Sequence, residues 1–336
     1  MRAALFTGPG EPISYVDLPD PQAPPGWVVL DVRAAGMCHS DVHTVRGPGA
    51  AWLSRMPIVL GHEVAGTVAA LGAGVTGFAL GDRVGVCSTP GPDEHTRPFG
   101  PGTHLGPAGG SQPGTHVDGG YAQQCVVRAS RLVPIPPEVS FEQAAIGTDA
   151  LAAGYHNVRN VAGVRIGERV GIVGLGGLGM AGLRTAVLAG AHVYGVDVRE
   201  EVFDDARADG ALDCFTDIAA LAELDLDVIV DFANAAGSVN AAVRAVRPRG
   251  RVVVVGLGSE QIVLDTIPLV LGRRTLLTSQ GIRKQDLEDV YGLLARGLLS
   301  PRLEAFDFDR IPEALERLAR GNVHGRLFTR PPTRES

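Results

Sequence analysis

Residues 169–197 carry the pattern that most restricts how this chain can fold. Arg169 to Gly174 reads as a buried strand, Gly174-Leu175-Gly176-Gly177-Leu178-Gly179 is glycine-rich, Leu178 to Ala189 has helical spacing, and His192 to Asp197 is a second apolar run. Strand, tight turn, helix and strand in that order form a βαβ unit, which commits the region to a parallel sheet. In a G-x-G-x-x-G turn so placed, Gly174 permits the tight bend, Gly176 lets backbone approach a pyrophosphate, and Gly179 lets helix and strand pack closely. The first helical amides, at Gly177 and Leu178, and the positive end of the helix dipole then favour an anion. Asp197 lies 23 residues beyond Gly174 at the end of the second strand. A carboxylate there can accept hydrogen bonds from both adenosine ribose hydroxyls, which favours NAD over NADP. Arg199, two residues on, could tolerate a 2′-phosphate. A chance match in a glycine-rich chain is the competing explanation, and the conjunction of strand, spacing and acid argues against it.

The alternation continues beyond this unit. Asp213 to Phe215 is a weak strand, Asp227 to Asp231 a strand, Ser238 to Val246 a helix, Arg251 to Val255 a valine-rich strand and Thr275 to Ser279 a final short one. Six strands of a doubly wound parallel sheet can be laid out this way, and the backbone at Val255-Gly256-Leu257, after the fifth, is expected to border the nicotinamide. The N-terminal third differs in texture. Short β-branched runs at Trp27 to Val32, Val64 to Ala69, Arg83 to Val86 and Ala122 to Val127, separated by Gly and Pro, predict an irregular β-rich domain. The expected division is 1–150, 151–281 and a C-terminal return over 282–336, with helices at Asp286 to Arg296 and Pro312 to Ala319, then Gly325 to Thr329.

Composition narrows the chemistry. The formal charge is 30 − 37 = −7 with no long basic run, which gives no electrostatic support to binding nucleic acid or an anionic membrane. Lys284 is the only lysine, so Schiff-base chemistry is nearly excluded. No secretory signal and no run of about 20 apolar residues is evident, so a cytoplasmic protein is expected. Cys38, Cys87, Cys125 and Cys214 form no C-x-x-C pair, so a thiol or thiolate role is favoured over a disulfide scaffold or a four-thiolate zinc knuckle. Cys38-His39-Ser40-Asp41-Val42-His43 and Gly61-His62-Glu63 put thiol, imidazole and carboxylate donors in the β-rich domain, a mixture that suits zinc.

Together these segments resemble the zinc-containing alcohol dehydrogenases of the medium-chain dehydrogenase/reductase superfamily, whose C-[HR]-[ST]-D-x-H and G-H-E motifs are both intact. The resemblance covers almost the whole chain and implies a Rossmann-type doubly wound sheet plus a GroES-like catalytic domain. By similarity, Cys38 and His62 are zinc ligands, Ser40 and His43 form a proton relay, Asp41 orients His62, and His39 touches the cofactor pyrophosphate. Glu63 would sit behind the metal, and Arg326 would contact a phosphate.

Two departures from the family pattern matter. The third ligand, most often a cysteine six residues before a tyrosine, is Asp149 here, and a harder oxygen donor implies a more Lewis-acidic zinc. The competing reading makes Thr148 or Asp149 a helix cap, which would leave Glu63 as the third ligand. Of the four cysteines that many relatives use for a structural zinc only Cys87 is nearby, so that site is expected to be absent. The spacings of His95, His104 and His116 match no compact zinc pattern, and the stretch Ser88 to Gly120 reads as a loop.

The expected reaction is reversible hydride transfer between a small alcohol or carbonyl and NAD(H). Zinc acts as Lewis acid, and a proton passes through Ser40 to His43. A zinc-dependent NAD(P)H reductase of an iminium or conjugated carbonyl is the alternative enzyme, and a non-catalytic NAD-binding protein is the alternative without turnover. Trp52, Met56 and the loop from Gly100 to Gly114 are candidate pocket walls or ordinary packing. A homodimer or homotetramer is expected, with dimers joined through Thr275 to Ser279.

Overall fold

In a computed structural model, which describes residues 1–89 and 110–333, the expected parallel sheet forms with six strands. Their spatial order is Asp213–Phe215, His192–Val196, Arg169–Val173, Leu226–Asp231, Val246–Val254 and Thr275–Thr278. Every pairing is parallel, and the first strand in the chain lies in the middle. This is the doubly wound order, which reverses beside the glycine-rich turn. The central strands are buried on both faces because their sequences are nearly all β-branched: Val170, Ile172, Val228, Ile229, Val230, Val252 and Val253 are fully buried. Each such side chain contributes about 1.5–3 kcal/mol relative to exposure.

One strand is longer than its sequence suggests. Val246–Val254 begins five residues before the valine run because Val246 pairs with Leu226, and a register shift absorbs the intervening Pro248-Arg249-Gly250. Proline and glycine hide that extension from a pattern search.

The chain divides into two compact units, Met1–Asp149 with Ile282–Ser336, and Ala150–Gly281. The first unit holds a seven-stranded sheet in the order Leu303–Phe306, Arg326–Thr329, Trp27–Gly36, Glu63–Leu71, Arg83–Val86 and Leu132–Pro134, with Gln124–Arg128 also paired to Trp27–Gly36. A smaller sheet joins Ser14–Asp17, Arg2–Phe6 and Ile58–Val59. Trp27–Gly36 runs four residues past its apolar core because Ala34, Ala35 and Gly36 pair with Ala65, Val64 and Glu63. That extension leads directly into Cys38.

The C-terminal segment belongs to this first unit because Arg326–Thr329 pairs with the same strand, Phe328 opposite Gly36 and Thr329 opposite Ala35. Its two helices are Lys284–Ala295 and Ile311–Ala319. Ile311, Ala314, Leu315 and Leu318 face the core at helical spacing, the amphipathic pattern seen in the sequence.

Candidate metal and dinucleotide sites

Cys38 sits at the N-cap of the helix His39–Arg46 with extended backbone, φ −118° and ψ 155°. A short helix opened there places His39 and Ser40 in its first turn and buries Asp41. The Asp41 carboxylate turns back, and its Oδ2 accepts the Cys38 N–H at 3.0 Å. His62 and Glu63 lie at the start of Glu63–Leu71, beside the extended strand that delivers Cys38.

Asp149 arrives from a helix that begins much earlier. Ser140 caps Phe141–Ile146 by accepting the Gln143 N–H at 3.2 Å, and the chain then widens into a π-helical turn over Gly147–Leu151. Asp149 therefore lies inside a helical run and cannot be its N-cap. The capping alternative for Thr148 or Asp149 fails on this point, since Ser140 already fills that role and Thr148 Oγ1 donates back to the Ala145 carbonyl at 2.6 Å. A π-turn rotates the residues it contains relative to a regular helix, and such turns cluster at functional positions.

The four donors meet. One ligating atom from each of Cys38, His62, Glu63 and Asp149 lies within 4.8 Å of the others. His62 Nε2 is 3.5 Å from Asp149 Oδ2, and Cys38 Sγ is 3.8 Å from the same oxygen. Ser40 Oγ lies 3.3 Å from His62 Nε2, while His62 Nδ1 faces Asp41 Oδ1 at 3.5 Å. Asp41 thus engages one ring nitrogen and leaves the other turned toward Asp149, the arrangement metal-binding imidazoles use.

The electrostatics follow from crowding charge in a buried space. Burial depresses the His62 pKa, but the Asp41 charge and hydrogen bonds to Asp149, Asp41 and Cys38 outweigh it and hold the imidazole well above its ordinary value. Burial likewise pushes Asp149 up, yet its hydrogen bonds with His62 and Cys38 and the charges of His62 and Arg326 leave it below the usual carboxylate range. Glu63 is fully buried, and desolvation with the nearby Asp149 charge raises it to about 7 against the opposing pull of Arg326.

Zinc fits this donor set. Glu63 Oε2 is buried without a hydrogen-bond partner, an unsatisfied acceptor on one of the four donor side chains. Glu63 Oε1 is held by Arg326, which cancels its charge. With the ion bound, a Cys38 thiolate and the Asp149 carboxylate would supply two negative charges beside a His62 that has given up its extra proton, matching a divalent ion. Arg326 was expected at a cofactor phosphate; the structure places it in this buried ion pair.

The remaining expected residues fall as follows. His39 is exposed at the helix start, and His43 is half-buried with its ring 6.1 Å from that of Trp52. Met56 is exposed. Cys87 is buried, and Gln112 donates its N–H to His116 Nδ1 at 3.3 Å. His95 and His104, with the loop from Gly100 as far as residue 109, lie outside the described residues.

In the second unit, Gly174 has φ +84°, the left-handed region glycine favours, and a Cβ on Gly179 would stand 1.7 Å from the Gly174 carbonyl oxygen. A Cβ on Gly176 would meet nothing within 4 Å, so that residue borders open space above the first turn of Gly177–Leu188, the helix that starts with Gly177 and Leu178. Open space at a helix N-terminus fits a pyrophosphate. Asp197 Oδ2 accepts the Leu175 N–H at 2.8 Å, and its Oδ1 accepts the Arg199 backbone N–H at 3.0 Å and Nε at 3.2 Å. Val255 and Gly256 donate their N–H groups to the Asp231 carbonyl, and Leu257 beyond them is exposed.

Tyr121 was not singled out in the sequence. It is fully buried, and its hydroxyl reaches Asp41 Oδ2 at 2.9 Å. Its only signal is an aromatic residue directly after Gly119-Gly120.

Two family models match the chain. "Alcohol dehydrogenase GroES-like domain" covers residues 24–137 and "Zinc-binding dehydrogenase" covers 177–296. The chain is 31% identical to an alcohol dehydrogenase of Rhizobium meliloti, over 97% of this chain and 98% of that one. It is 29% identical to an alcohol dehydrogenase of Geobacillus stearothermophilus, with the same coverage. Among solved structures, acetophenone reductase from Geotrichum candidum in complex with NAD superposes with a TM-score of 0.86 at 28% identity, covering 98% of this chain and 96% of that one.

Proposed function

Because the chain belongs to the zinc-containing alcohol dehydrogenases of the medium-chain dehydrogenase/reductase superfamily, we propose that it carries one zinc per chain, held by Cys38, His62 and Asp149, and prefers NAD. Its activity class is zinc-dependent alcohol oxidoreduction, with NAD(H) as hydride partner and small alcohols or carbonyls as substrates. The observation that carries the proposal is the convergence of four donors from three separate chain segments within 4.8 Å. Zinc there supplies Lewis-acid polarisation of a substrate oxygen.

The rest is done by the chain's own groups. Cys38 and Asp149 match the ion's charge, and Asp41 holds the His62 ring by Nδ1. Glu63, tied to Arg326, stands by as a fourth donor whose charge is already cancelled. Ser40 Oγ, 3.3 Å from the His62 ligand nitrogen, is placed to receive a proton beside that atom, and His43 passes protons onward to solvent. The amides opening Gly177–Leu188 hold the pyrophosphate, His39 adds a contact to it, and Asp197 takes the adenosine ribose hydroxyls. Val255, Gly256 and Leu257 border the nicotinamide from the strand's end.

We assign substrate and zinc handling to residues 1–150 with 282–336, and cofactor binding to 151–281. A cytoplasmic setting suits four free cysteines, one of them a ligand. We further infer a homodimer joined along Thr275–Thr278. Among the described residues that strand is paired on one edge only, and Ile267, Val270 and Leu271 nearby in the chain are all exposed. Elemental analysis beside a panel of alcohols and carbonyls followed by NADH fluorescence tests the reading. One zinc per chain and NAD-linked turnover are expected; a pure, folded sample that takes up NADH but neither zinc nor any substrate would overturn it.

A further inference from the structure

We propose that Tyr121 is a positioning residue of the metal site, its hydroxyl fixing the single carboxylate that holds both the Cys38 backbone and the His62 ring. The proposal rests on the zinc reading above. It begins from a sharing of oxygens on Asp41. Oδ2 accepts two hydrogen bonds, from the Cys38 N–H at 3.0 Å and from the Tyr121 hydroxyl at 2.9 Å, while Oδ1 faces His62 Nδ1 at 3.5 Å. Any rotation of that carboxylate would move two ligands at once. A buried carboxylate accepting several donors loses its rotational freedom, and each donor to a charged oxygen contributes more than a neutral pair does.

Tyr121 is itself anchored at both ends. Its N–H donates to the Leu60 carbonyl at 3.1 Å and its own carbonyl accepts the Ala4 N–H at 2.8 Å, so its backbone is fastened to the segment that delivers His62. Its ring lies against Gly61, where φ is +89° and a Cβ would come within 2.6 Å of the aromatic carbons. A side chain at position 61 would push the ring off its seat. The hydroxyl has one proton and two acceptors in reach, Asp41 Oδ2 and the Gly36 carbonyl at 3.3 Å. The shorter, charged acceptor takes it. One residue therefore ties the Gly61-His62 loop by its backbone to the Cys38 loop by its side chain, and sets the separation of two ligands that are 24 positions apart in sequence.

Packing alone would place an aromatic ring here but would not require an oxygen, which makes Tyr121→Phe the decisive variant. Zinc affinity is measured by competition with a chromophoric chelator for wild type and Tyr121→Phe. The visible spectrum of the cobalt-substituted proteins reports ligand geometry, and thermal unfolding of the metal-free proteins reports packing. About tenfold weaker zinc binding is expected, the loss typical of groups that support metal ligands, with shifted cobalt bands and an unchanged metal-free midpoint. In an Asp41→Asn background the same change should cost much less, because the tyrosine acts through that carboxylate. Unchanged affinity and cobalt spectrum, an equal loss in the Asp41→Asn background, or a large fall in the metal-free midpoint would each overturn the assignment. A wild-type protein that binds neither zinc nor cobalt would overturn the zinc reading itself, and this role with it.

Discussion

At the scale of single residues, the chemistry depends on which donors carry charge and which are already neutralised. Asp149 and Glu63 both reach the site, but only Glu63 is matched by a buried arginine. Replacing Asp149 with Ala should weaken zinc binding by more than about 100-fold and remove turnover in parallel, beyond the effect of losing a supporting group; Asp149→Cys should retain the metal. Chelator competition on the two variants decides it, and full zinc retention in Asp149→Ala would move the third ligand to Glu63. Asp197 is engaged by Leu175 and Arg199, so it braces the glycine-rich turn, and its proposed second role is at the adenosine ribose. Asp197→Ser should raise the ratio of NADP to NAD efficiency by about tenfold or more, an amount equal to one lost charged hydrogen bond. An unchanged ratio in steady-state kinetics would remove Asp197 from cofactor choice.

At the scale of elements, strand ends are held by ion pairs that tie distant segments. Arg251 on the fifth strand reaches Glu168, just before the first, at 3.0 and 2.7 Å, and also caps the Ala162 and Gly163 carbonyls. Burial pushes the Glu168 carboxyl up, but the Arg251 hydrogen bonds and the Arg165 N–H pull it below its ordinary value. A carboxyl depressed in the folded state stabilises above its unfolded pKa, and that contribution fades as pH falls through the lower, folded value. Glu168→Gln should therefore cost about 1 kcal/mol at neutral pH and nothing once the pH is below the folded value. Urea midpoints across an acid series give the comparison; a gap that persists in strong acid would mean that the residue acts through packing instead.

At the scale of the whole molecule, the six-stranded sheet stops at Thr275–Thr278 with one edge open among the described residues, and Thr266–Leu271 ahead of it leaves Ile267, Val270 and Leu271 exposed while Leu269 packs against the core. Such an apolar helix next to an open strand edge is costly to leave in water. Val270 and Leu271 replaced together by Asp should convert the inferred dimer to monomer at micromolar concentration, read by light scattering, while leaving zinc content at wild-type level. A wild-type monomer, or a tetramer that the double change does not touch, would sink the inferred interface. No described helix is long and apolar enough to cross a membrane.

The sequence alone determined the features whose physics is local. Glycine spacing between a strand and a helix, an acid at the second strand's end, and donor residues packed into Cys38–His43 and Gly61–Glu63 are all written within a few residues of one another. Periodicity did the same for the helices near 284–295 and 311–319, since each had only to bury one face. Tertiary structure decided whatever needed partners far apart in the chain. Glu63 and Arg326 are 263 positions apart and share a charge only because Arg326–Thr329 pairs with the strand that precedes Cys38. Asp149 could be read as a helix cap until the helix was seen to start at Ser140 and widen at Gly147. Tyr121 stayed invisible for the same reason: a hydroxyl's worth is set by the acceptor it meets, and no pattern along the chain specifies a meeting across 80 residues.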